Sequence, residues 1–240
     1  MSEPYKAGRR AKYKADHDFV YQIHEYNLDI EMNQIYLMGE EVYANVDDYD
    51  EPGVEFVMAS RFIRNLNICM RKNPDVPILI HMKTNGGFWE EGMAIYNAIK
   101  ACPNPVTIIN YTHARSMSSL IFQAANKRVM MPDSNFMYHE GTWGFAGTVK
   151  QANTEILELN KTGERMLDIY VENMKQKGKY SKWSTKRIRE HLVSCMQKKE
   201  EVYLNPEETV ESGLADMVFG EGGRYNWESL LEYSDEELER

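Results

Sequence analysis

Pro77-Ile78-Leu79-Ile80-His81-Met82-Lys83-Thr84-Asn85-Gly86-Gly87 is a mostly apolar run with a proline on one side and a glycine pair on the other. Ile78 to Met82 suits a buried parallel strand, because its apolar residues follow one another instead of alternating with polar ones. A helix follows at Glu90 to Lys100. This is a strand, a glycine turn and a helix, and the same order recurs on either side.

Upstream, Gln34 to Gly39 reads as a short strand after a turn through Asn27 to Asn33. Glu41 to Pro52 is an acidic, turn-rich surface loop. Val54 to Arg71 keeps apolar residues at helical spacing (Phe56, Val57, Phe62, Ile63, Leu66, Cys69, Met70). Downstream, Val106 to Tyr111 is a strand and Ser116 to Asn126 a helix. Arg128 to Met131 and Phe136 to Tyr138 are short strands around Pro132-Asp133-Ser134. The alternation predicts an α/β fold. Right-handed crossovers would line up the strand-to-helix turns along one sheet edge, where open α/β sheets place their sites. Gly86-Gly87 and Ser116 both fall on such turns.

After Gly147 a long helix is expected, running to Gly178, with Ile156, Leu159, Gly163, Met166, Tyr170 and Met174 as its apolar stripe. That stripe has two readings: it packs on its own domain, or it projects onto a neighbouring subunit. Asn205-Pro206-Glu207-Glu208 is a helix start and Gly213 its stop. Beyond Gly222 the chain is acidic, with a short helix near Trp227 to Tyr233. The expected division is an N-terminal polar, basic arm (1–26), one domain (27–220) and an acidic C-terminal tail (221–240).

Composition sets the outer bounds. The chain has 240 residues, 42% of them hydrophobic, and a formal net charge of -9. The acidic balance argues against nucleic-acid partners, since phosphate neutralisation calls for clustered Lys and Arg. Lys6, Arg9, Arg10, Lys12 and Lys14 are the exception, and a short basic arm of this kind is usually solvated or faces a partner. Cys69, Cys102 and Cys195 lack pairing or zinc spacing, which suits reduced thiols in a cytoplasmic protein. No metal or cofactor motif is present, and no Gly-x-x-x-x-Gly-Lys-Ser/Thr nucleotide loop. No apolar run approaches the ~20 residues that span a bilayer, and the N-terminal stretch lacks the apolar h-region of a secretory signal, so no membrane partner is expected.

Ser116 opens an apolar helix, and a serine there is ordinarily an N-cap. Its surroundings allow more. The Met117 N–H at the helix start can face a developing oxyanion, and the Gly86-Gly87 turn can bring a second backbone N–H close. A serine hydroxyl needs a base, and six histidines are available. His17 and His24 lie in the polar N-terminal region and His191 on a surface helix; His81, on a buried strand, reads as structural. His113, at the approach to the serine turn, is a minor candidate. His139 ends an apolar strand and leads into a glycine-containing loop, from which an imidazole can reach across a site. Glu200 and Glu201 lie further along.

Four segments resemble the proteolytic subunit family of the Clp protease: Thr84-Asn85-Gly86-Gly87 with Glu91-Gly92-Met93-Ala94-Ile95-Tyr96; Ala114-Arg115-Ser116-Met117; Asn135-Phe136-Met137-Tyr138-His139; and Tyr203-Leu204 with Glu208 to Asp216. The resemblance runs from about Ile35 to Asp216. It implies a crotonase-like α/β fold of repeated β-β-α units with a projecting long helix for ring stacking. It also implies a serine endopeptidase with Ser116 as nucleophile, His139 as base and the amides of Gly87 and Met117 as oxyanion hole. Glu201 takes the third position, where the family has aspartate, and Glu200 is an alternative carboxylate. Substrate would lie as an added strand along Gly86, Phe88, Glu140 and Gly141. Phe88, Trp89, Trp143 and Phe145 either line that groove or are core and contact aromatics.

By the same resemblance the subunit forms heptameric rings, stacked in pairs, that enclose the sites. An ATP-driven AAA+ unfoldase feeds unfolded polypeptides to them, and the subunit itself uses no cofactor. Departures cluster at the site: Asn85 for proline, Phe88 and Arg115 for small residues, Glu140-Gly141 for Gln-Pro. Three other readings stand beside this one: a degenerate structural subunit, a specialised processing peptidase, and acyl-CoA chemistry on the same fold.

Overall fold

The computed structural model describes residues 18–39, 53–220 and 228–239. The expected basic cluster at Lys6 to Lys14, the acidic loop at Asp47 to Glu51 and the start of the acidic tail, 221–227, lie outside the described residues.

A helix, α1 (18–26), leads into β1 (Leu28–Asp29) and β2 (Gln34–Met38). Then follow α2 (Phe56–Lys72), β3 (Ile78–Thr84), α3 (Trp89–Lys100), β4 (Val106–Arg115), α4 (Met117–Phe122), β5 (Lys127–Met130) and β6 (Asn135–Tyr138). The chain continues with α5 (Val149–Gln176), α6 (Thr185–Lys199), β7 (Val202–Leu204), α7 (Pro206–Ser212) and β8 (Met217–Val218). A 3-10 turn (Glu228–Leu231) and α8 (Asp235–Leu238) close it. The sheet order is β1-β2-β3-β4-β5-β8, parallel from β2 onward.

β3 shows why its sequence is a continuous apolar run. Ile78, Ile80 and Met82 face the helical core, together with Val106 and Ile108 of β4. Leu79 joins Ile109 and Val129 in a second cluster. Both sides of the strand are covered from Ile78 to Ile80; beyond them the Leu79 side carries the buried His81 and the exposed Lys83.

β4 is longer than the expected Val106 to Tyr111, and the extension positions the site. Thr107 to Asn110 pair with β5, while His113 to Arg115 pair with β6. The polar residues after Tyr111 carry no strand pattern of their own; β6 supplies the partner. The helix after Ser116 is correspondingly short, ending at Phe122 where Ser116 to Asn126 was expected. The expected turn at Asn27 to Asn33 contains β1, paired with β2. β7 and β8, of three and two residues, are formed by pairing with β6 and β5.

Local chemistry sets the helix ends. Glu55 accepts from the Val57 and Met58 amides at the start of α2. Thr148 and Gln151 form a capping box on α5. α7 has the expected Asn205 cap, Pro206 at its start and Gly213 at φ 83 as its stop.

Burial divides the long-helix stripe into two halves. Met166, Tyr170 and Met174 are buried in the domain core. Toward the N-terminus no α5 residue before Met166 is buried, and Val149, Ile156, Leu157 and Leu159 are exposed.

Candidate active site

Ser116 sits at the joint between β4 and α4 with φ 50 and ψ -126, a backbone region that L side chains rarely occupy. Its neighbours hold it there. The Ser116 N–H donates to the Met137 carbonyl at 3.0 Å, tying the joint to β6. The buried Ser118 hydroxyl lies 2.7 Å from the carbonyls of Thr84 and Arg115 and accepts from the Arg115 N–H at 2.9 Å. The Ser119 hydroxyl donates to the Ser116 carbonyl and lies 2.6 Å from the Tyr170 hydroxyl.

Two residues beyond Met137, β6 delivers His139. Its Nε2 is 2.7 Å from Ser116 Oγ. Burial pushes the imidazole pKa below its ordinary value, because the charged form loses hydration; the charges of Glu201 and Glu200 pull the other way. The ring is therefore neutral at pH 7 and can accept a proton.

β6 and β7 are antiparallel, with Tyr138 opposite Val202 and Met137 opposite Tyr203. Extended by one residue, this register sets Glu201 opposite His139, a separation that side chains commonly bridge. The Glu201 side chain, however, turns along its own strand. Its Oε2 accepts from the Tyr203 hydroxyl at 2.9 Å, and the hydrogen bond of the His139 ring among the described residues is to Ser116. Both Glu200 and Glu201 are exposed, and Glu200 has φ 60 where α6 ends. Arg115 braces the same corner: its Nε donates to Asn135 Oδ1 at 2.7 Å and its guanidinium stands 5.3 Å from the centre of the Tyr203 ring.

The glycine turn presses against the serine joint. Gly86 has φ 106, and a Cβ there would lie 2.7 Å from both the Arg115 carbonyl oxygen and Ser116 Cβ. Val54 donates to the Gly86 carbonyl and accepts from the Phe88 N–H. That bridge leaves the Gly87 N–H without a partner among the described residues. The Met117 N–H, first in its helix, has no intrahelical acceptor. Gly87 and Met117 line the same cavity as Ser116.

A cavity of about 260 Å³ opens beside Ser116 and His139. Phe88, Trp89, Leu120, Leu159, Met166 and Tyr170 wall it, and Glu140 and Gly141 lie along it. Trp143 and Phe145 are not among the residues that line it; they are exposed and stacked on each other with centroids 6.0 Å apart. Gly86 is buried behind the joint and does not line the cavity.

A sequence model of the Clp protease family matches residues 51–222. The chain belongs to the Clp protease family. Members are serine-type peptidases. An ATP-dependent Clp protease proteolytic subunit from Deinococcus radiodurans is 29% identical over 167 residues, covering 69% of this chain and 76% of that protein. A mutant ClpP1 from Listeria monocytogenes matches with a TM-score of 0.61 over 84% of this chain and 96% of its own, at 19% identity. That likeness is one of fold, the crotonase-like α/β arrangement described above.

In this Clp protease chain Gly87, Met117, Ser116 and His139 come together at one cavity, whereas Glu201 is adjacent but bonded elsewhere. His81 bonds Tyr111 and Gln34, each at 2.9 Å, and burial lowers its pKa to about 4. His191 packs with Tyr180 and Trp183, away from the cavity. Sequence reasoning passed over Ser118, Ser119, Tyr170 and Tyr203. A signal for the first two was present: hydroxyls crowded beside a helix-start serine are natural donors to its backbone. Gly92 was quoted only as part of a motif; a Cβ there would meet Met117 Cγ at 2.1 Å. Among the described residues no helix is long and apolar enough to cross a membrane, and no cluster of His, Cys, Asp and Glu could hold a metal ion.

Proposed function

We propose that this chain is a serine endopeptidase in which Ser116 attacks the scissile carbonyl and His139 takes its proton. The observation that carries this reading is the 2.7 Å contact between His139 Nε2 and Ser116 Oγ, made by an imidazole that is neutral at pH 7. As the tetrahedral intermediate forms, its oxygen gains charge beside the Gly87 and Met117 amides, and the dipole of the following helix adds to their pull. His139 then passes its proton to the leaving amine, and water repeats the sequence on the acyl-enzyme. Glu201, opposite His139, orients the imidazolium when it leaves Tyr203. Extended substrate runs along Phe88 on one side and Glu140-Gly141 on the other, with one side chain in the cavity. No step calls for a cofactor of the subunit.

The exposed apolar stretch of α5 supports assembly into stacked rings, because Val149 and Leu157 are 80% and 62% exposed in the single chain. Enclosed sites of that kind act on unfolded polypeptide delivered by an ATP-dependent unfoldase. The free cysteines suit a cytoplasmic setting.

Ser116→Ala tests the reading. The variant should assemble as the parent does, lose hydrolysis of a fluorogenic peptide and take up no fluorophosphonate. Undiminished labelling would remove Ser116 from its role. The Glu201 to Tyr203 bond favours a second reading, a structural subunit that does not cleave. An assembled parent protein that neither labels nor hydrolyses peptides would establish that one instead.

A further inference from the structure

A second cavity, of about 250 Å³, lies against the β6–β7 pair and shares no lining residue with the one beside Ser116. Tyr138, Val202 and Leu204 form part of its wall, and α6 adds Cys195 and His191. Those two residues are four apart on one helix, so their side chains meet on the same face. The Cys195 sulfur stands 3.8 Å from His191 Nε2 and 4.0 Å from His191 Nδ1. The peptidase reading uses neither residue.

The surroundings favour reaction at this thiol. Cys195 is half-buried and reached from the cavity. Burial lowers the His191 pKa below its ordinary value, and the charges of Lys179 and Lys198 lower it further, so the ring is neutral at pH 7 and can take the thiol proton. The other two thiols are held in the opposite state. Burial pushes Cys69 up to about 12 and raises Cys102 as well, because a thiolate in either place would lose its hydration.

The charge balance facing the thiol is positive. Lys179, Lys198 and Lys199, all exposed, line the cavity against one acidic residue, Glu208. Glu208 is committed to the start of α7, where its Oε2 accepts from the Asn205 N–H at 2.9 Å. Glu211 pairs with Lys179 at 3.2 Å. Glu200 and Glu201, next along the chain, act on His139. Lys198 and Lys199 therefore remain to receive a carboxylate entering the cavity.

We propose that Cys195 is a modification site that forms a reversible mixed disulfide with a small carboxylate-bearing disulfide. His191 takes the proton from the Cys195 thiol, and the thiolate attacks one sulfur of the incoming molecule. The bond to Cys195 forms as the original S–S bond breaks, and the departing thiolate recovers the proton from His191. Cys195 is oxidised and one half of the incoming disulfide is reduced, so the step balances; a second molecule of the same thiol reverses it. Lys198 and Lys199 hold the carboxylate of the half that stays. This rests on the second cavity alone and is independent of the peptidase reading.

The test incubates the full-length protein with oxidised glutathione or, separately, with neutral hydroxyethyl disulfide, and locates the adducts by peptide mass mapping. Glutathione should add to Cys195 roughly ten-fold or more faster than to Cys69 or Cys102, and reduced glutathione should remove it. His191→Gln should slow both reagents alike. The double change Lys198→Gln, Lys199→Gln should cut the rate with oxidised glutathione, relative to the neutral reagent, by about ten-fold. Raising sodium chloride from about 0.05 to about 0.5 M should narrow the same ratio in the unmodified chain, where no substitution disturbs the fold. Cys195 reacting no faster than Cys102 would overturn the proposal, as would a ratio that neither salt nor the lysine changes move.

Discussion

The two halves of the active-site corner are built to different standards. Ser116 and His139 are tied by backbone: the Ser116 N–H is bonded to β6, the strand that ends in His139, and Ser118 and Ser119 fix the joint from below. Glu201 is on the surface, and among the described residues its side chain's hydrogen bond is to Tyr203, itself 46% exposed. The proposed nucleophile and base are thus set by the fold, while the carboxylate proposed to orient the base is set by a side-chain rotamer. A rigid pair with an adjustable third member should show steep mutational losses on one side and shallow ones on the other.

His139→Ala should therefore be the most damaging change among the partners of Ser116, lowering kcat/KM for a fluorogenic peptide by about 10⁴ with the fold intact. Gly87→Ala comes next. Its Cβ would sit 2.2 Å from the Val54 carbonyl oxygen, so the turn must move and one oxyanion donor with it. A loss in kcat of about 10²–10³ and a lower melting temperature are expected. Glu201→Gln should cost about ten-fold, well short of the roughly 10⁴ seen when the aspartate of a serine protease triad is replaced by its amide. A loss near that larger value would erase the distinction between the halves.

Tyr203→Phe should give the smallest effect and the opposite sign. Releasing Glu201 toward His139 should raise the rate by a factor of a few, the worth of one exposed hydrogen bond. An unchanged rate would mean that Tyr203 does not compete for the carboxylate.

The pH profile sharpens the same comparison. His139 acts as a base only when neutral, and burial holds its pKa below the ordinary ~6.5. Activity should rise with pH through a midpoint below that value. Glu201 raises the His139 pKa, so Glu201→Gln should move the midpoint to still lower pH. A midpoint that stays fixed would place the carboxylate out of electrostatic reach.

Much of this was legible along the chain wherever the signal was local. The run at Ile78, the glycine pair, the helix-start serine and the Asn205-Pro206 cap each depend on neighbours in sequence, and the elements they mark are present. What could not be read depends on distant partners. Thr112 to Arg115 become strand because β6 lies alongside, and β7 exists because β6 offers an edge. The rotamer of Glu201 follows from Tyr203, on which Arg115 stacks from another strand. Leu230 looked like part of an acidic tail; only the folded sheet reveals the second apolar cluster that it joins.

Ser116 carries a consequence for selection. Its φ of 50 and ψ of -126 form a conformation that glycine adopts freely and serine does not. Ser116→Gly should thus make the chain more stable by about 1–2 kcal/mol while removing the hydroxyl. Drift toward thermal robustness and the retention of chemistry pull this one codon in opposite directions. With Ser116 as the proposed nucleophile, a screen scored on melting temperature alone would enrich dead enzyme here, because the backbone favours the residue that lacks the hydroxyl.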